Sequence, residues 1–251
     1  MAAPRVLHLT DTHLFASPRH RLRGVTTEQT LERAIERAQR HAWPPDCILL
    51  TGDLVHDGSL EGYERLRARF AAFGVPVYCI AGNHDDPQRM RSVLDAPPLQ
   101  CEGSATVGDW CIVLLDTHVP GEDGGGLSVD TLARLDTTLA QTRAPHALVC
   151  LHHHPVAIGS AWLDALGVAN RDALFGVINR HSTVRALLWG HVHQAFDEQA
   201  GGLRLLATPS TCIQFKPRCA RFRYDSLPPA CRWLTLYEDG RIGTEILWAD
   251  A

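Results

Sequence analysis

Six short apolar runs, rich in Leu, Val and Ile and spaced along the first three quarters of a 251-residue chain, limit what it can fold into. They cover residues 5–10, 47–51, 76–81, 111–115, 147–151 and 184–189. A strand with one face in water alternates polar and apolar residues; unbroken runs of this length read as strands buried on both faces. Helical periodicity lies between them. Residues 27–42 place Leu31, Ile35 and Ala38 on one stripe behind Thr26 or Thr27 as N-cap. Residues 59–73 repeat the pattern with Leu66, Phe70 and Phe73, residues 128–141 with Leu132, Leu135 and Leu139, and Asn170 is expected to cap a helix reaching about residue 180. Alternating strand and helix predicts an α/β fold with a largely parallel arrangement. After residue 200 the helices stop. Residues 203–207, 233–237 and 242–248 read as strands, Glu238-Asp239-Gly240 as a hairpin turn, and the end of the chain is expected to complete a second sheet. With no internal repeat or linker, residues 1–251 are read as one domain.

The chemistry sits where the strands stop. Residues 5–10 run into Asp11-Thr12-His13, 47–51 into Gly52-Asp53, and 76–81 into Gly82-Asn83-His84-Asp85. Residues 147–151 run into His152-His153-His154-Pro155, and 184–189 into Gly190-His191-Val192-His193. Ligands of α/β sheets bind outside the carboxyl ends of the strands, so five strand ends deliver Asp, His and Asn to one edge. An Asp after one strand is usually a turn or a helix cap. Five such blocks in order, each at a strand end, point instead to a metal site. In Asp11-x-His13 and His191-x-His193, residues two apart in an extended segment would face one ion together. Asp53 has two oxygens with which to bridge a pair of ions, Asn83 offers a neutral carbonyl oxygen, and Gly52, Gly82 and Gly190 let the backbone come close.

The donors are nitrogen and oxygen without thiolate, which suits Fe, Mn, Zn or Co. There are more of them than one ion needs, so two ions roughly 3.5–4 Å apart are expected. Two divalent ions offset by Asp11, Asp53 and a bridging hydroxide keep a net positive charge, matched to a mono-anionic phosphodiester. The hydroxide would attack phosphorus in line, and His84 is the candidate general acid for the leaving alkoxide.

Composition narrows the setting. The formal net charge of −4 argues against a general nucleic-acid or membrane-surface binder, although Arg218, Arg221 and Arg223 could form a local basic patch. No apolar run approaches the ~20 residues that span a bilayer. Residues 1–5 do not resemble a signal peptide. The eight cysteines form no C-x-x-C pair, and Cys47, Cys79, Cys111 and Cys150 fall inside apolar runs. A reduced, cytoplasmic protein without a membrane partner is expected.

The five blocks resemble the signature of the calcineurin-like metallophosphoesterase superfamily: D-x-H, GD, GNH, H-x-P and GHxH. That resemblance implies a fold of two mixed β-sheets packed as a sandwich flanked by helices. It also implies one ion on Asp11, His13, Asp53 and His193, and a second on Asp53, Asn83, His153 and His191. The H-x-P form, with Pro155 after the spacer, selects His153; His152 is the alternative. Asn83, His84 and His193 are the expected substrate contacts. Residues 11–15, 160–164 and 207–217 look, in addition, like bacterial class III 3′,5′-cyclic AMP phosphodiesterases. This likeness implies a small cyclic-nucleotide substrate, an Fe or Mn pair, and a monomer or homodimer. Trp162, in the second of these stretches, either stacks on an adenine or packs in the core, and packing is the expectation. Another small diester (a glycerophosphodiester or a 2′,3′-cyclic nucleotide) and a non-catalytic metal-binding scaffold are the competing readings. A nuclease is disfavoured by the acidic net charge.

Overall fold

Side chains alternate across a strand, and in this chain the alternation sorts the apolar runs into three buried layers. Within Cys47–Thr51, Leu49 packs against residues of a second sheet while Ile48 and Leu50 pack against helices. Leu148 and Val149 of the strand His146–Cys150 divide the same way on the other side. The computed structural model, which describes residues 2–249, thus has two six-stranded mixed sheets face to face with helices outside each. Each fully buried Leu of these layers contributes about 1.5–3 kcal/mol.

The first sheet runs in the order Ile242–Trp248, Ala230–Leu236, Arg5–Leu9, Cys47–Thr51, Val77–Ile80 and Leu99–Gln100. The second runs Phe196–Ala200, Leu203–Ala207, Val184–Trp189, His146–Cys150, Trp110–Leu114 and Gly103–Val107. Arg5–Leu9, Cys47–Thr51 and Val77–Ile80 are mutually parallel, as are Trp110–Leu114, His146–Cys150 and Val184–Trp189. Their carboxyl ends therefore share one rim of the sandwich.

One expectation about the sheets is corrected. The final two strands do not complete the second sheet: Ala230–Leu236 pairs antiparallel with Arg5–Leu9, placing Thr235 opposite Arg5, and Ile242–Trp248 lies outside it. Of the three segments read as strands after residue 200, only Leu203–Ala207 joins the second sheet. Asn170 is the N-cap of the helix Arg171–Ile178 as expected, its carbonyl accepting from the Leu174 N–H. Its side chain makes no cap, because its amide is engaged with both backbone groups of Leu127. A helix at Pro87–Leu94 was not expected, although its start is written in the sequence. Asp86 accepts from the N–H groups of Gln88 and Arg89, and Pro87 stands where a free N–H is not needed. Ser128, by contrast, caps Val129–Gln141 through Thr131 as a helix start should.

Two short hairpins rise above the rim, Arg21–Leu22 with Val25–Thr26 and Gln214–Phe215 with Tyr224–Asp225. The second carries Arg218, Arg221 and Arg223, all exposed, on its connecting loop. No helix among the described residues is long and apolar enough to cross a membrane.

Candidate metal centre

Once a strand ends, its backbone must turn sharply to aim a side chain back across the rim. Among the described residues only seven other than glycine have φ in the left-handed region, and five of these are Asp11, His13, Asp53, His191 and His193, with φ between 45° and 64°. Side chains rarely adopt this conformation without tertiary support, and such outliers gather at functional sites. The extended segments anticipated for Asp11-x-His13 and His191-x-His193 are therefore not what points these pairs inward. Left-handed turns do it. Close approach is the role of the glycines: a Cβ on Gly190 would run into the side chains of Thr10 and Asp11, and one on Gly82 into Asp53 and His152.

Asp11, His13 and Asp53 bring their ligand atoms within 4.8 Å of one another. The His193 Nε2 lies 3.2 Å from Asp11 Oδ1 and 3.3 Å from His13 Nε2. Each ring has its other nitrogen engaged, His13 Nδ1 with His56 Nδ1 at 3.0 Å and His193 Nδ1 with the Ile213 carbonyl at 2.7 Å. A ring held in this way keeps one tautomer and directs its free lone pair at the ion. Burial holds His13 well below the usual imidazole range, with His193 and His84 adding to the effect against the pull of Asp53.

The second group gathers around Asn83. Its Oδ1 is 3.2 Å from His152 Nε2 and 3.1 Å from His191 Nδ1, and His152 Nε2 is 3.4 Å from Asp53 Oδ1. The Thr51 carbonyl accepts from His152 Nδ1 at 2.7 Å, leaving Nε2 as the ligand atom. His153, the residue chosen by the H-x-P form, belongs to the same cluster, with a ligand atom within 4.8 Å of those of His152 and His191. Its Nδ1 pairs with Thr117 Oγ1 at 2.8 Å, its ring contacts those of His152 and His191, and its buried Nε2 has no hydrogen-bond partner. Of His152 and His153, it is His152 whose Nε2 lies within 3.4 Å of both Asp53 and Asn83. Burial alone would lower His152, yet the Asp53 carboxylate beside it outweighs burial and raises it to about 9. The reverse pull of His152, with His13 and His84, overcomes burial and holds Asp53 well below the usual carboxylate range.

His84 is exposed at the mouth of a cleft of about 600 Å³. Its backbone N–H donates to Asp53 Oδ1, and its ring stacks on His56 at 4.3 Å. His56 thus braces both a ligand and the expected proton donor. Nothing in the sequence singled it out beyond its place three residues after Asp53. Asp85 was legible as the residue after His84, but its work was not. It accepts from the N–H groups of Leu54, Val55 and Gly82 and from Tyr63 Oη, tying the Asp53 and Asn83 loops together. Burial, with Asp53 nearby, pushes its carboxyl up to about 6 against those backbone donors. Cys212 lies within ligand reach of His13 and His193; burial pushes its thiol up to about 12, so it stays protonated. Trp162 packs edge-on against Phe215 and Phe222.

The residues fit a metal pair. Neighbouring donors sit 3.1–3.4 Å apart, close to the roughly 3 Å between adjacent ligands around an ion with bonds of about 2.1 Å. All of them are nitrogen or oxygen, and Asp53 faces both groups.

Comparison with known proteins supplies the family and the fold. The family model "Calcineurin-like phosphoesterase" matches residues 4–195. The 3′,5′-cyclic adenosine monophosphate phosphodiesterase CpdA of Pseudomonas aeruginosa is 43% identical over 99% of this chain and 91% of its own. CpdA of Escherichia coli K12 is 39% identical over 98% and 90%. A dimetal phosphatase from Danio rerio shares the fold with a TM-score of 0.68 at 15% identity, covering all of both chains.

Proposed function

The chain belongs to the calcineurin-like phosphoesterase family, and from that premise we propose that it is a metal-dependent phosphodiesterase hydrolysing 3′,5′-cyclic AMP to 5′-AMP. The observation that carries this reading is full-length similarity to the two CpdA proteins, joined to a complete set of clustered donors.

Asp11, His13, Asp53 and His193 would hold one ion, and Asp53, Asn83, His152 and His191 the other. When bound, the ions supply Lewis-acid activation of water and of the phosphoryl group. The nitrogen and oxygen donors suit Fe or Mn, with Zn or Co as alternatives. The Thr51 and Ile213 carbonyls and His56 fix the rings, so the donors need no reorganisation when substrate arrives. His84, exposed beside Asp53, protonates the departing O3′ alkoxide. Asn83 and His193, which line the cleft, contact the phosphate. We read the chain as one domain, since both sheets supply ligands, and as cytoplasmic, since its eight cysteines are unpaired and seven are buried.

Purified protein loaded with Mn or Fe should convert cyclic AMP to 5′-AMP, followed by chromatography. His84→Ala should lower kcat by roughly 10²–10⁴-fold while metal content stays intact. Efficient cleavage of a glycerophosphodiester or a 2′,3′-cyclic nucleotide with cyclic AMP untouched would overturn the substrate assignment.

A further inference from the structure

Proton transfer and metal binding use the floor of the cleft and leave one wall without a role. That wall is aromatic. Phe215 lies flat on the ring of His193, with centroids 4.1 Å apart and planes 6° from parallel. Its ring meets Phe222 at 5.3 Å, and Phe222 meets Tyr224 at 4.6 Å. Phe222 is thus two ring contacts from a proposed metal ligand, and both it and Phe215 line the cleft.

Phe215 and Trp162 are half-buried and occupied by their neighbours, whereas Phe222 is 43% and Tyr224 42% exposed. Leaving an aromatic ring in water forgoes the stabilisation that burial would give it. Here two adjacent rings stay exposed on a short hairpin, facing a cleft whose floor is polar. Arg221 and Arg223 flank Phe222 on the same loop and favour the approach of an anion.

We propose that Phe222, supported by Tyr224, is the platform on which the purine ring of the nucleotide lies. This rests on the cyclic-nucleotide reading above. In such a substrate the charged end belongs with the metal ligands, and the base is the one large planar apolar part. The ribose between them spans from the floor to the hairpin. Base–aromatic stacking adds ground-state affinity without taking part in bond cleavage, so its loss falls on KM rather than kcat.

The test compares cyclic AMP with methyl riboside 3′,5′-cyclic phosphate, which keeps the cyclic diester and lacks the base. Phe222→Ala, at an exposed position that the core does not need, should raise the KM for cyclic AMP roughly ten-fold with kcat within about two-fold. The KM for the base-free diester should move several-fold less, and Phe222→Trp should restore the cyclic AMP value. An equal change on both substrates, or no change on either, overturns the platform. Should the wild-type protein cleave neither, the cyclic-nucleotide reading fails by itself. Calorimetric binding of 5′-AMP against ribose 5-phosphate then decides the platform: a preference for 5′-AMP abolished by Phe222→Ala supports it, and its absence or persistence overturns it.

Discussion

The two groups of metal donors use similar side chains but are braced differently. In the group of Asp11, His13 and His193, one ring depends on another side chain, His56, and the other on the Ile213 carbonyl. The group of Asn83, His152 and His191 rests on the Thr51 carbonyl and is backed by the buried rings of His153 and His154. A carbonyl brace survives substitution of the residue that carries it; a side-chain brace does not. The first group therefore has in His56 a brace on a ligand ring that mutation outside the ligand set can remove, whereas the Thr51 carbonyl brace on His152 is set by the fold.

Asp53 is the point at which the comparison collapses, since it faces both groups. Asp53→Ala should remove both ions and lower kcat/KM on the order of 10³-fold or more, measured by elemental analysis beside turnover. Next in size is the choice within the histidine run. His152→Gln should lose the second ion and most activity, whereas His153→Gln, which cuts the Thr117 contact, should keep both ions at reduced affinity. His56→Ala should weaken the first ion roughly 10–100-fold in a chelator competition while leaving the second in place, and His56→Gln should recover part of the loss.

A pH dependence separates the two groups as well. In the metal-free protein the pair of His152 with Asp53 raises the imidazole to about 9 from an ordinary 6.5. Its stabilisation is complete below about pH 6.5 and disappears as the pH rises through about 9. An ion must displace that proton, so affinity at the second position should increase across this window, read by metal titration with proton-release calorimetry. His13, which burial keeps neutral, has no proton to give up, so binding at the first position should depend less on pH.

Much of this was legible in the sequence because strand ends and donor types are local features. The runs at 47–51 and 184–189 coincide with observed strands, and the polar blocks after them do meet. What escaped depends on contacts between distant residues. Three consecutive histidines give no sign of which ring turns toward Asp53 until the Thr51 carbonyl is in position. The brace from His56 needs two loops 43 residues apart to meet. The left-handed turns at five ligands are uncommon outside glycine even for Asp and His, so local propensity reads past them. The last hairpin was assigned to the wrong sheet because strand pattern says how a segment is buried and not which partner it finds.

The pairing of Arg5–Leu9 with Ala230–Leu236 has a consequence for how the protein is made. His193 is the last of the proposed ligands to leave the ribosome, yet the strand that carries Asp11 still lacks a neighbour then. Ser210, whose hydroxyl donates to the Asp11 carbonyl, and Thr211, whose N–H donates to that of Thr10, emerge later still. The position of Asp11 is thereby tied to residues that follow every proposed ligand in the chain.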